Sequence, residues 1–83
     1  MQTTQDPKAE IERLMTTAFF LGRYARSEEY RLGVRAILAY KLAGEPLPPL
    51  PYQLGSCEAD AYFAGQDEGR GILKRKREKG GAA

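Results

Sequence analysis

The sequence predicts a small all-α domain of three helices, with a proline-rich loop between the second and third and a basic C-terminal tail. Three observations predict it. Helix-start residues stand at three places, Asp6-Pro7, Ser27-Glu28-Glu29 and Ser56. Apolar residues follow each start at helical spacing. Four of the five prolines fall within residues 46–51, where they forbid helix. The 83 residues suit one domain, read as a helical body over 1–73 and a flexible basic tail over 74–83.

The first helix is expected from Pro7 to about Tyr24. Asp6 can accept from the free N–H groups of the first turn, and proline at the first helical position has its φ preset. Ile11, Leu14, Met15, Ala18 and Phe19 form one apolar face, which Phe20 and Leu21 widen. The second helix starts at Ser27, with Glu28 and Glu29 near the positive end of its dipole. Tyr30, Val34, Ile37, Leu38 and Leu42 make its buried stripe, and Gly44 is its stop, because glycine enters the left-handed conformation without a Cβ penalty. Arg23–Arg26 contains no proline, so one long kinked helix is the alternative to a break there.

Pro46, Pro48, Pro49 and Pro51 favour an extended, polyproline-like strut whose stiffness lowers the entropy lost on ordering. Leu47 and Leu50 are expected to pin it to the helices. Ser56 then caps a third helix with Glu58 and Asp60 in its first turn. Ala59, Tyr62, Phe63, Ile72 and Leu73 supply its apolar contacts. Gly65 and Gly69, four apart, make a smooth strip where another backbone can approach. Lys74–Lys79 either prolong this helix or leave it as tail.

Charge is divided along the chain. Arg70, Lys74, Arg75, Lys76, Arg77 and Lys79 against the single Glu78 give the last fourteen residues a local charge of +5, whereas residues 1–69 carry −3. With no histidine, the usual base near neutral pH is missing. Cys57 has acids beside it rather than a base, and is read as a small semi-buried residue. Asp67 and Glu68 are adjacent and read as a solvated face. These features argue against an enzyme, and no metal or cofactor is expected. One cysteine excludes an internal disulfide and a multi-cysteine zinc site. MQTTQDPKAE has no basic-then-apolar signal, and no apolar run approaches the ~18 residues of a membrane span. A soluble, cytoplasmic protein with no membrane partner is the expectation.

From Tyr40 onward the chain resembles the ribosome modulation factor family of small bacterial proteins. Ala43-Gly44 is followed seven residues on by Pro51-Tyr52-Gln53, the family's spacing, and Tyr62-Phe63-Ala64-Gly65 stands near the place of its Trp-x-Gly-Gly. The likeness covers residues 39–70. Leu50 replaces the cysteine before the Pro-Tyr pair, Glu45 stands where an arginine is expected, and the linker is proline-rich rather than basic. The N-terminal helix has no counterpart. The resemblance implies binding to ribosomal RNA of the small subunit and promotion of an idle ribosome state.

Two main readings follow. In the first, the chain is a non-catalytic module for ribosomal or other structured RNA. Tyr52 stacks on unpaired bases in the Pro-Tyr loop, and Arg70, Lys74, Arg75, Lys76, Arg77 and Lys79 hold phosphates. Arg23, Arg26, Arg31 and Arg35 would add a second basic strip. The bland readings are a tail that only solubilises and a Tyr52 ring that packs on the prolines. In the second, the chain is a phage-type or mobile-element inhibitor or adaptor that binds a partner protein through Phe19, Phe20, Leu21, Tyr62, Gly65 and Gly69, or forms a homodimer on them. A weaker third, a helix-turn-helix DNA binder using Ser27–Lys41, would bring Glu28 and Glu29 against phosphate.

Overall fold

The computed structural model describes residues 6–20 and 26–81, with side chains through Glu78. The described residues form three α-helices and no strand: α1 Pro7–Ala18, α2 Glu28–Ala43 and α3 Cys57–Gly81. All three starts are capped as the sequence requires. Asp6 Oδ1 accepts from Lys8 N–H at 3.2 Å, Ser27 Oγ from Tyr30 N–H at 3.2 Å, and Ser56 Oγ from Ala59 N–H at 3.1 Å. Gly44, at φ 71°, ends α2 in the left-handed region.

α1 is shorter than the expected Pro7–Tyr24. It ends at Ala18, and Phe19 leaves helical geometry at φ −124°, ψ 42°. Thr16 and Thr17 lower helix propensity in the last turn, because β-branched side chains lose χ1 freedom there. Phe19 meets the Tyr30 ring edge-on at 6.3 Å, holding the end of α1 against the start of α2. Helices one and two are therefore separate. Leu21, Gly22, Arg23 and Tyr24 lie outside the described residues.

α2 and α3 run in the same direction. Gly65 lies against Tyr30 and Val34, Gly69 against Val34 and Ile37. Farther on, Lys41 and Leu42 reach Leu73, Lys74 and Arg77. α1 runs the opposite way: its Phe19 end meets Tyr30, Glu12 pairs with Arg35, and its start lies by Leu42 and Lys76. The core sits where the three meet. Ile11, Met15 and Ala18 of α1, Val34 and Leu38 of α2 and Ile72 of α3 form one buried cluster. Burying a side chain of the size of Val34, Ile37 or Leu38 contributes about 1.5–3 kcal/mol.

The parallel pair explains the prolines. Neighbours running in the same direction need a connection as long as the first helix. α2 has 16 residues, about 24 Å at ~1.5 Å per residue. The eight residues from Glu45 to Tyr52, extended at ~3.1 Å each, cover about 25 Å. Pro46, Pro48 and Pro51 accordingly line a shallow groove with Ala39, Ala36 and Leu32 of α2 and with Tyr62 of α3. The prolines themselves therefore border the helices. Leu50 is half-buried, but Leu47, expected as a second pin, is exposed.

The close approach of α2 and α3 is made of glycine. A Cβ on Gly65 would stand 2.0 Å from the Tyr30 carbonyl oxygen, and one on Gly33 would stand 2.1 Å from that of Tyr62. Gly69 is nearly as crowded, at 3.0 Å from Ile37 Cβ. The strip expected from Gly65 and Gly69 is thus real, and the backbone that approaches it is the chain's own α2.

Candidate nucleic-acid interface

α3 continues through the basic segment to Gly81. Residues 74–78, set apart in the sequence as tail, are held on a helix whose earlier turns are packed on α2. An open groove of about 560 Å³ lies between the ends of α2 and α3. Leu42 and Leu73 line it together with Lys41, Arg70, Lys74, Lys76 and Arg77, and no carboxylate is among the lining residues. The helical repeat accounts for the grouping: Arg70, Lys74 and Arg77 are at i, i+4 and i+7, one face of α3. Lys41 joins them because the parallel arrangement puts the C-termini of both helices at one end. Lys41, in the last turn of α2, is favoured there by the negative end of that helix's dipole.

The five cations are not equally available. Arg70 Nη1 pairs with Asp67 Oδ1 at 3.0 Å. Lys76 Nζ lies 3.4 Å from Glu10 Oε2, a carboxylate with a side chain only 9% exposed that also pairs with Arg13. Among the described residues Lys41, Lys74 and Arg77 form no ion pair. Arg75 is also exposed but lines a separate depression with Leu14, Phe20 and Ile72, on the α1 side of the helix. The Lys79 side chain lies outside the described residues.

Tyr52 is at the other end of the molecule. About 17 residues of α3 separate Cys57 from Lys74, or roughly 26 Å. The Tyr52 ring meets Tyr62 edge-on at 5.7 Å, and Tyr62 meets Phe63 at 6.3 Å. Partial burial, followed by the charges of Glu29 and Glu28, holds the Tyr52 phenol above its ordinary pKa, with smaller contributions from Tyr62 and Glu58. The carboxylates around this ring repel phosphate. The Pro-Tyr loop and the basic helix end therefore do not make one surface, although the sequence reading joins them, and the ring that Tyr52 meets is that of Tyr62.

Other sequence assignments are corrected by burial. Gly65, Gly69 and Tyr62 are buried within the chain and closed to a second chain, whereas Phe19 is half-buried, with its ring edge-on to Tyr30. Of the expected protein-binding set, Phe20 is the described residue left exposed, and Leu21 lies outside the described residues. Phe63, expected to supply apolar contacts, meets Tyr62 but is 43% exposed. Arg31 donates to the Arg26 carbonyl at 2.7 Å, Arg26 covers the Tyr30 ring, and both Arg35 guanidinium nitrogens engage Glu12, so these arginines do not line up as a second basic strip. Glu68 is not a solvated partner of Asp67. It accepts from the Tyr30 hydroxyl at 2.5 Å, tying α3 to α2. Cys57 is exposed rather than semi-buried. α2, the supposed recognition helix, is the central helix, with Val34, Ile37 and Leu38 wholly buried and with Glu28 and Glu29 in its first turn, where they would meet phosphate.

Among the described residues no group of three or more histidine, cysteine or carboxylate side chains is placed to hold a metal ion, and no helix is long and apolar enough to cross a membrane. No protein-family model, curated protein or solved structure matches the chain.

Proposed function

We propose that this chain is a non-catalytic RNA-binding module that holds the phosphate backbone at the shared C-terminal end of α2 and α3. The observation that carries this reading is the groove between Lys41, Arg70, Lys74, Lys76 and Arg77, with no acid in its lining. Cations on a rigid helix lose less freedom on binding than the same cations on a loose tail, so the folded basic end favours a binding role over a solubilising one. Glu28, Glu29, Glu58 and Asp60 sit at the opposite end, where both helices begin. This separation of charge orients the molecule with its basic end toward a polyanion during encounter. The resemblance to ribosome modulation factor names ribosomal RNA as the target class to try first. Tyr52 has no part in this interface.

The test is fluorescence anisotropy of labelled RNA over a salt series. Binding by n phosphate contacts weakens with salt with a log–log slope of about −0.7n for single strands. Replacing Lys41, Lys74 and Arg77 by Gln is expected to reduce the steepness by about 2 and to weaken binding at every salt concentration. Unchanged affinity and slope in that triple variant would refute the assignment of the groove. A single protein captured from lysate in a nuclease-resistant form, lost on Phe20→Asp and kept by the triple variant, would favour the partner-protein reading instead.

A further inference from the structure

We infer that Tyr40 is the base-stacking residue of this interface, and that the groove therefore takes single-stranded RNA in preference to duplex. The inference rests on the RNA reading above and deepens it. Tyr40 lies in the last turn of α2 and is 44% exposed, so its ring is presented to solvent rather than spent on the core. The Lys41 ammonium, which belongs to the groove, lies 5.5 Å from the Tyr40 ring centroid. An open aromatic thus stands beside Lys41, one of the cations that would hold phosphate, at the edge of the groove.

This pairing of a phosphate-holding cation with a stacking surface is what binding of unpaired strands requires. The strand's charge is met by ammonium and guanidinium groups, while a base, free of its own neighbours, lays its face on an aromatic ring. In a duplex the bases are already stacked inward, so Tyr40 would gain nothing from them. Tyr52, the tyrosine that the sequence singles out, lacks this setting, since Glu29 and Glu28 act on its phenol. Lys41 lies beside the Tyr40 ring and attracts the strand. The contact between Lys41 and Tyr40 is also a cation–π interaction that would exist without any ligand. The test must therefore separate stacking from a purely structural contact.

The experiment compares Tyr40→Ala, Tyr40→Phe and Tyr52→Ala with the native chain. Each is titrated with a labelled single-stranded RNA and with a duplex of the same length, over the same salt series. Circular dichroism verifies that the variants keep native helix content. Tyr40→Ala is expected to weaken single-strand binding about tenfold or more, with its salt slope unchanged, and to leave duplex binding as it was. Tyr40→Phe, which keeps the ring, should restore single-strand affinity, and Tyr52→Ala, which removes the other tyrosine ring, should leave it as it was. Equal loss on both RNAs, or no loss on either, would overturn the role of Tyr40. If the lysine and arginine variants of the groove reduce binding while Tyr40→Ala does not, the stacking inference fails and the groove stands. If the native chain binds neither RNA, the groove reading fails and the Tyr40 inference falls with it.

Discussion

Gly65→Ala puts the packing of α2 on α3 to a sharp test, because two physical effects predict opposite signs. Judged as a helix position alone, alanine is better than glycine by about 1 kcal/mol. Judged from the fold, the new methyl group would stand 2.0 Å from the Tyr30 carbonyl oxygen, 2.9 Å from its carbon and 3.1 Å from Val34 N. All three neighbours are backbone atoms of a helix and cannot rotate away. Contacts below 3.0 Å essentially never occur, so the helices must part by about 1 Å. A gap of that size forfeits a quarter to a half of the dispersion energy of each facing atom pair. Overpacking of this kind costs about 1–3 kcal/mol, sometimes more. A backbone clash at 2.0 Å belongs at the upper end of that range, so after the ~1 kcal/mol helix gain the net expectation is a loss of about 1–2 kcal/mol, a sizeable part of the ~3–5 kcal/mol that a core of this size supplies.

The assay is urea denaturation followed by far-ultraviolet circular dichroism, with Gly71→Ala as the control. A Cβ on Gly71 would meet only the Arg75 guanidinium at 3.5 Å, the movable end of a long side chain. Gly71→Ala should therefore raise stability by about 0.5–1 kcal/mol. Gly33→Ala should resemble Gly65→Ala, and the double variant should lose less than the sum, since the first substitution already parts the helices for the second. A Gly65→Ala protein as stable as the native chain, or more stable, would refute the backbone contact between α2 and α3.

Three further outcomes are expected. Replacing Pro48 and Pro49 by glycine should cost about 1–2 kcal/mol in the same assay, by enlarging the freedom of the unfolded chain, while leaving the salt slope of RNA binding unchanged. Lys76→Met removes a cation from the nearly buried Glu10 carboxylate; it should lower stability by about 1 kcal/mol, measured by thermal unfolding, and cost RNA affinity less than Lys74→Met does. The third concerns pH. The hydrogen bond and charge of Arg35 hold the Glu12 carboxyl below its ordinary range, while the Arg35 guanidinium is raised in turn. A carboxylate with a folded pKa below its unfolded value contributes stability above the ordinary carboxylate range and loses it as pH falls through the lowered value. The native chain should therefore be the more stable of the pair at neutral pH, and its advantage over Glu12→Gln should vanish in acid. A pH-independent difference between the two would remove the linkage.

The candidate site was legible only in pieces. Its basic residues were visible as a charge run, and the spacing of Arg70, Lys74 and Arg77 follows from the helical repeat. Lys41 and Tyr40 gave no such signal, because their place beside the run depends on α2 ending next to α3. Tyr52 was misleading for the same reason. Its position after four prolines marks it in the chain, yet the strut carries it to the end where Glu28 and Glu29 begin α2. Glu10 reads as an ordinary first-turn acid, and only the packing of α1 across Lys76 makes it a nearly buried anchor.

The amino-acid order alone determined where the three helices start, where α2 stops and which stripe α2 buries. Caps, stop signals and periodicity act through neighbours within a few residues, so they are written locally. The direction of α3 relative to α2 was a tertiary matter. It depends on Gly33 meeting Tyr62, on Gly65 meeting Tyr30, and on a strut long enough to return along α2. These contacts join residues some thirty positions apart, and no local pattern encodes such a pairing. That one choice gathers both C-termini, and with them the cations, at a single end of the molecule.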